Sequence, residues 1–271
     1  MRSFLIALHK ITFFKRLIPS FIRGLPFNRS IGVKIENFMI NLNLKSTIDR
    51  YIYLNGFYDR DKINFFENEI DLHNYDYFLD IGSNIGFYSL YLASKYKNLN
   101  ILAFEPIYEN YCQIEKSKEL NNFKKINIYK YALSNKKDEI TMWATNLNKK
   151  GGFSVYDEKD YHNEIEVNNY NTDKIYKRTL VSEVFDDNFK IENKKIFIKI
   201  DVERHEFQCL NGMLSLLRDS NNKVFIQIEI IDKYKDLVLD FLEKMHFRVV
   251  NIIKADGNNI SYGSDYYLSN F

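Results

Sequence analysis

Apolar residues recur along this chain in two periods. Short apolar runs at Tyr77–Ile81, Ile101–Phe104, Ile126–Tyr129, Ile196–Ile200 and Lys223–Glu229 read as buried strands, and Phe247–Ile253 and Tyr266–Leu268 as the closing ones. Between them, apolar positions three and four apart predict helices over Asp59–Ile70, Ile85–Tyr96, Tyr108–Leu120, Leu180–Phe185, Val202–Leu217 and Tyr234–Met245. Strand and helix alternate, which predicts an α/β fold with a mainly parallel sheet and helices on both faces. Ahead of it, alternations at Val33–Ile35 and Tyr51–Leu54 predict a small β element. Residues 1–70 are therefore expected to form an N-terminal α/β extension and residues 71–271 the main domain.

Two stretches break the pattern. Residues 146–173 are polar and aperiodic and carry Gly151, Gly152, Tyr156, Tyr161 and His162; a loop of this length reads as a substrate lid or as a surface insertion. Residues 1–25 set Arg2, Lys10, Lys15, Arg16 and Arg23 against Phe4, Leu8, Ile11, Ile18, Phe21 and Ile22 at near-helical spacing. That stretch has no uninterrupted apolar span and no small-residue cleavage site, so it is neither a transmembrane helix nor a good signal peptide. It suits an anionic membrane surface or, more economically, packing on the domain or on a second subunit of a homo-oligomer.

Composition narrows the function classes. At 271 residues, 45% hydrophobic and 27% charged, the chain is long enough for one α/β domain with attachments and reads as soluble and globular. A net charge of +2 provides no footprint for nucleic acid. Cys112 and Cys209 fall in expected helices and form neither a zinc-like cluster nor a disulfide framework, which suits the reducing cytosol.

The richest chemistry lies at Tyr77–Tyr88, YFLDIGSNIGFY. A strand carrying Asp80 breaks into Gly82, Ser83, Asn84, Ile85 and Gly86, and a helix starts at once. Glycines let backbone approach a ligand closely, and a helix start offers N–H groups. The spacing is D-x-G-x-N-x-G, not the G-x-G-x-x-G of a dinucleotide binder, which argues against a nicotinamide dehydrogenase. Twenty-three residues after Gly82, a second strand ends in Glu105-Pro106, where Rossmann-like sites hold a ribose diol. The pair implies a nucleoside cofactor. Asp80, Glu105, Asp201 and Glu229 all fall at or near expected strand ends, so they should ring one crevice.

DIGSNIGFYSLYLA, AFEPIYENY, KYALSN and IFIKIDVERHE together closely resemble the successive motifs of the FkbM family of S-adenosylmethionine (SAM)-dependent methyltransferases, over roughly Ser46 to Phe271. The resemblance implies a Rossmann-like class I methyltransferase. It places Asp80, Gly82, Ser83, Asn84, Gly86, Glu105 and Pro106 at the cofactor, with Ala132 and Ser134 near the adenine. The implied acceptor is a sugar hydroxyl, as in a nucleotide-linked hexose or heptose for surface, capsule-type polysaccharide. The implied location is the cytoplasm, and the amphipathic residues 1–25 would add a contact either to the inner membrane or to a second subunit.

Methyl transfer to a hydroxyl needs a base, a metal, or both. Asp201, Glu203, His205 and Glu206 lie at one expected helix start; if that helix begins at or before Asp201, Asp201 and His205 share a face. His205 or Asp201 is expected to remove the proton, with Glu203 or Glu229 placing substrate hydroxyls. Magnesium is compatible with these carboxylates and stays unassigned. The chain departs from the family at Arg204, where most members have Gly, and at Val181, where T-L-D becomes Thr179-Leu180-Val181; both fall on the acceptor side. A nitrogen or carboxylate acceptor, and a non-catalytic scaffold, are the rival readings.

Overall fold

The structure is a computed structural model that describes residues 2–9, 17–24, 30–144, 176–254 and 263–271. Helices α1 (Arg2–His9) and α2 (Leu17–Gly24) precede a hairpin of β1 (Ile31–Ile35) and β2 (Phe38–Leu42), then α3 (Thr47–Asn55) and α4 (Arg60–Glu69). Next come β3 (Tyr77–Ile81), α5 (Phe87–Lys95), β4 (Asn100–Phe104), α6 (Tyr108–Asn121) and β5 (Ile126–Tyr129). A small sheet is built from β6 (Ala132–Leu133), β7 (Asp138–Ala144) and β8 (Tyr176–Glu183). The chain returns to the main sheet with β9 (Lys195–Ile200), β10 (Lys223–Ile230), β11 (Arg248–Ile253) and β12 (Ser264–Ser269).

The main sheet has seven strands in the order β11-β12-β10-β9-β3-β4-β5. β5, β4, β3, β9 and β10 are parallel, and β12 runs antiparallel between β10 and β11. From β3 the chain moves outward through β4 and β5, then restarts on the other side at β9. The crevice beyond the carboxyl ends of β3 and β9 is thus a topological switch point, where open α/β sheets hold ligands.

Alternation along each strand feeds two cores. Phe78 and Phe197 pack at 4.9 Å between ring centroids on the face covered by α4 and α5, where Phe66 also stands 4.8 Å from Phe197. Leu79, Ile81, Ile198 and Ile200 point the other way, with Leu210, Leu216 and Leu242. Each fully buried aromatic or branched side chain contributes about 1.5–3 kcal/mol, so one-residue slips of register are disfavoured. Leu5, Ile18 and Ile22 are buried in the first of these cores, and Arg2 donates to the carbonyls of Tyr53 and Lys34, both at 3.0 Å. The described part of the N-terminal stretch therefore packs on the domain, while Leu17 and Phe21 remain exposed. The aperiodic stretch 146–173 lies outside the described residues.

Three expectations change. Tyr51–Leu54 lies inside α3, because Asp49 and Arg50 bury together with Ile52, Tyr53 and Leu54 three and four residues on, as one side of a helix. Leu180 belongs to β8 and only Phe185–Asn188 is helical; pairing with β7 overrides the local pattern. The helix expected from Val202 begins at Glu206 and runs only to Asn211, with a second helix at Leu214–Arg218. Glu203 and Arg204 cause the delay: their φ angles of 54° and 78° are left-handed and cannot propagate a right-handed helix.

Candidate functional site

The end of β3 meets the end of β9 with almost no space between them. Ile81 and Ile200 are in register, and the Asp201 N–H donates to the Ile81 carbonyl at 3.0 Å. Gly82 follows at φ 78°, and a β-carbon there would lie 1.9 Å from the Asp201 carbonyl oxygen. Only glycine fits. Gly86, at φ 75°, similarly lets α5 pack against Ile114 of α6.

Four of the turn's amide groups are already engaged. Gly82 and Ser83 N–H both donate to the Phe104 carbonyl at 3.0 Å, Gly86 N–H to the Ser83 carbonyl at 2.7 Å, and Asn84 N–H to Glu105 Oε2 at 2.8 Å. The turn offers shape and acceptors instead. Asn84 Oδ1 is buried without a hydrogen-bond partner, which suits a ligand donor such as the SAM ammonium. The residues present thus fit the cofactor.

Glu105 ends β4 and is buried. Its Oε1 accepts from the Ile107 N–H at 2.9 Å and from Asn110 Nδ2 at 3.3 Å. Burial pushes its pKa up to about 7, while these donors and Asn84 pull it down. Both lone pairs of Oε1 are used and Oε2 keeps one, so a ribose diol meets one open acceptor here rather than the bidentate grip its position suggests. Pro106, half-buried, starts the turn into α6. On the far side, Ala132 and Ser134 flank the end of β6; a β-carbon at Gly212 would strike the Ser134 carbonyl at 2.0 Å, so the helix Glu206–Asn211 is held against this edge.

A polar row crosses the sheet on the face of α5. Register places Asp80 of β3, Lys199 of β9, Gln227 of β10 and Tyr267 of β12 side by side. Asp80 accepts from Ser89 Oγ at 2.6 Å, and burial raises its pKa against the pull of Lys199. Lys199 Nζ lies 3.0 Å from Asp201 Oδ2 and 5.0 Å from the Tyr88 ring. Burial opposes the Lys199 charge, but Asp201 and Asp80 outweigh it and hold the ammonium above its ordinary pKa. Burial likewise opposes the Asp201 carboxylate, and Lys199 outweighs it, holding that pKa below the ordinary value.

Expected catalytic residues divide between two places. Asp201 and Glu229 come together: burial, then Asp201 and Asp265, push the Glu229 pKa up to about 8. Glu203 lies near enough to act on Tyr58, whose hydroxyl is raised by burial and by Asp59, Asp201, Glu229 and Glu203. His205 stands apart. It precedes the helix Glu206–Asn211, its Nε2 pairs with Ser134 Oγ at 3.0 Å, and burial lowers its pKa to about 4. The expected Asp201–His205 pair is not formed, because the helix starts too late to align them.

Lys199, Tyr58, Asp59, Lys62 and Asp265 escaped the sequence reading. Lys199 left a trace as the one charged residue within IFIKI; the others reach the crevice from segments distant in the chain. Among the described residues, no three or more His, Cys, Asp or Glu side chains converge as a metal site requires.

The family model of the methyltransferase FkbM domain matches residues 80–249, spanning the cradle, Glu105, the Lys199–Asp201 strand end and Glu229. The chain belongs to the FkbM methyltransferase family. Among solved structures, the FkbM methyltransferase of Methylobacillus flagellatus KT is 13% identical with a TM-score of 0.50, over 78% of this chain and 46% of that one. Trm5b from Pyrococcus abyssi is 8% identical with a TM-score of 0.50, over 90% of this chain and 56% of that one. TYW2 of M. jannaschii, in complex with AdoMet, is 10% identical with a TM-score of 0.45, over 90% of this chain and 87% of that one. The chain thus spans less than half the length of the M. flagellatus protein. At these identities the likeness with the first two establishes the Rossmann-like class I methyltransferase fold. No curated protein sequence matches the chain. Arg204 stands at φ 78°, a conformation in which glycine is the unstrained residue, so the glycine expected there from the resemblance has a structural reason.

Proposed function

We propose that this FkbM-family protein is a SAM-dependent O-methyltransferase whose acceptor is a sugar hydroxyl, carried on a nucleotide-activated hexose or heptose used in the cytoplasm for surface polysaccharide. SAM would lie across the Gly82–Gly86 turn, with Asn84 and Glu105 as hydrogen-bond acceptors and Ala132 and Ser134 along the adenine. When bound it supplies an already activated methyl group, so this chain's residues have to bind, align and deprotonate the acceptor.

One observation carries the sugar reading. Beside the cradle, Tyr58, Asp59, Asp201, Glu229 and Asp265 gather acceptor oxygens that act on one another electrostatically. A polyhydroxylated acceptor provides the donors such a cluster takes. Arg204, on the loop after β9, supports a diphosphate contact, since guanidinium forks suit phosphate oxygens. The same excess of carboxylates favours an amine acceptor as the second reading and disfavours a carboxylate acceptor, which like charges would repel.

The test is a mass-spectrometric screen of the protein with SAM and a panel of nucleotide-linked sugars, with and without magnesium, following S-adenosylhomocysteine and a product heavier by one methylene. A methylated sugar is the expected result. Methylation of amines alone would replace this reading with the second, and SAM binding without any product would exclude the panel's sugars as acceptors.

A further inference from the structure

The strand ends beside the cradle carry a row of three carboxyl groups. Parallel pairing of Ile228 with Ile200 brings Glu229 next to Asp201, and antiparallel pairing sets Glu229 opposite Asp265. Cross-strand neighbours stand about 5 Å apart, so three ionised carboxylates in a row repel strongly.

The two outer members are each neutralised by a cation. Asp201 has Lys199 at 3.0 Å. Asp265 has Lys62 at 2.5 Å and accepts from Gln227 Nε2 at 3.0 Å. Glu229, in the middle, accepts from the Gly263 N–H at 3.2 Å. Lys62 and Lys199, each paired with another carboxylate, lower its proton affinity by their charge alone. A second observation marks the same place: the Tyr267 hydroxyl, wholly buried and without a hydrogen-bond partner, feels Asp265 and Asp59. This is an unfilled polar position one residue row beneath the carboxyls.

We propose that Glu229 is the base of this enzyme, taking the proton of the acceptor hydroxyl while Lys199 and Lys62 pair with Asp201 and Asp265 on either side. The inference rests on the O-methyltransferase reading above. In the step, the acceptor O–H bond breaks and its proton goes to a Glu229 carboxylate oxygen. The acceptor oxygen forms a bond to the methyl carbon, and the carbon–sulfur bond breaks with its electron pair going to sulfur. Glu229 then releases the proton to solvent. His205 is poorly suited to the role: its Nε2 is engaged by Ser134, on the edge opposite the carboxyl row.

The groups facing Glu229 explain how a carboxyl can do this near neutrality. Asp201 from β9 and Asp265 from β12 raise its proton affinity, Lys62 from α4 and Lys199 from β9 lower it, and Tyr58 sits within range ahead of α4. Wild-type turnover should therefore rise with pH to a plateau above about 8.

Two readouts test the assignment. With a methylated sugar found, Glu229→Gln should lose about 100-fold or more in turnover and its pH dependence, keep SAM affinity within about twofold by calorimetry, and unfold cooperatively. Glu229→Asp, which keeps the charge, should recover part of the rate. Independently of turnover, infrared difference spectra of the wild-type protein should show a protonated carboxyl band that disappears as pH rises through about 8 and is missing in E229Q. An E229Q enzyme within about threefold of wild type, or an unchanged infrared titration in it, overturns the proposal. A wild-type protein that binds SAM and methylates no hydroxyl sinks the O-methyltransferase reading instead, whatever the infrared titration of Glu229 shows.

Discussion

Replacing Gly82, Gly86 and Gly56 by alanine gives a graded test of how the cofactor cradle is built. All three glycines are left-handed, at φ 78°, 75° and 77°, and they differ in what an added β-carbon would meet. Left-handed backbone costs a residue with a β-carbon about 1–2 kcal/mol. At Gly56, the C-cap of α3, nothing lies within 4 Å, so that penalty is the whole effect. At Gly86 the carbon would fall 2.9 Å from Ile114 Cγ2, a side chain that can turn aside for about 1 kcal/mol more. At Gly82 it would fall 1.9 Å from the Asp201 carbonyl oxygen, which is fixed backbone. An ordinary carbon–oxygen contact is about 3.3 Å, so the end of β9 would have to retreat by more than an ångström. The bond from the Asp201 N–H to the Ile81 carbonyl would then break, adding about 1–3 kcal/mol for buried groups left unpaired. Gly82→Ala should therefore cost about 2–5 kcal/mol in total. For a chain of this size about 1 kcal/mol moves Tm by about 2–4 °C, so G56A should fall a few degrees and G82A further, by about 4–20 °C. Urea and thermal unfolding measure the series, and calorimetry should show SAM binding retained in G56A and lost in G82A. Equal destabilisation of G82A and G56A would refute the close contact of the two strand ends as the feature that shapes the cradle.

Three further outcomes follow from the same geometry. Lys199→Met should destabilise the fold by about 3–5 kcal/mol in urea unfolding, because Asp80 and Asp201 lose their shared buried cation; a change under 1 kcal/mol would show that the two carboxyls do not depend on it. Glu105→Gln should weaken SAM by about 1–3 kcal/mol, and wild-type affinity should improve as pH rises through about 7, where Glu105 ionises in the folded protein. Its stability contribution runs the opposite way: with the folded pKa raised above 4.5, the contribution is complete below that value and is lost as pH climbs through about 7, which E105Q should flatten in a Tm series. Arg204→Gly should stabilise the protein by about 1 kcal/mol by relieving the left-handed backbone at φ 78°; unchanged stability would mean that contacts of the arginine offset the strain.

The architecture was largely legible because local pattern and tertiary environment agree along it. Apolar runs bounded by polar turns marked β3, β4, β5, β9 and β10 to within a residue or so, since strands buried on both faces have no polar face to blur them. The D-x-G-x-N-x-G turn and Glu105 marked the crevice at the strand ends for a related reason: left-handed glycines and a strand-end carboxylate are requirements of short segments, so they appear as short segments.

Long-range pairing decided what the sequence left open. Leu180 and Val181 became strand only because β7 lies alongside, and Val181, where the family has aspartate, ended 54% exposed. The left-handed pair Glu203 and Arg204 separated Asp201 from His205, sending one to Lys199 and the other to Ser134. The carboxyl cluster beside the cradle joins Tyr58, Asp59 and Lys62 from before β3, Asp201 and Glu229 from later in the chain, and Asp265 from its last strand. The sequence alone thus determined the fold class and the place of the glycine turn and Glu105 at the strand ends, whose physics is local. Tertiary structure decided which charge faces which, because a carboxyl's proton affinity depends on burial and on neighbours that strand order, not chain order, brings to it.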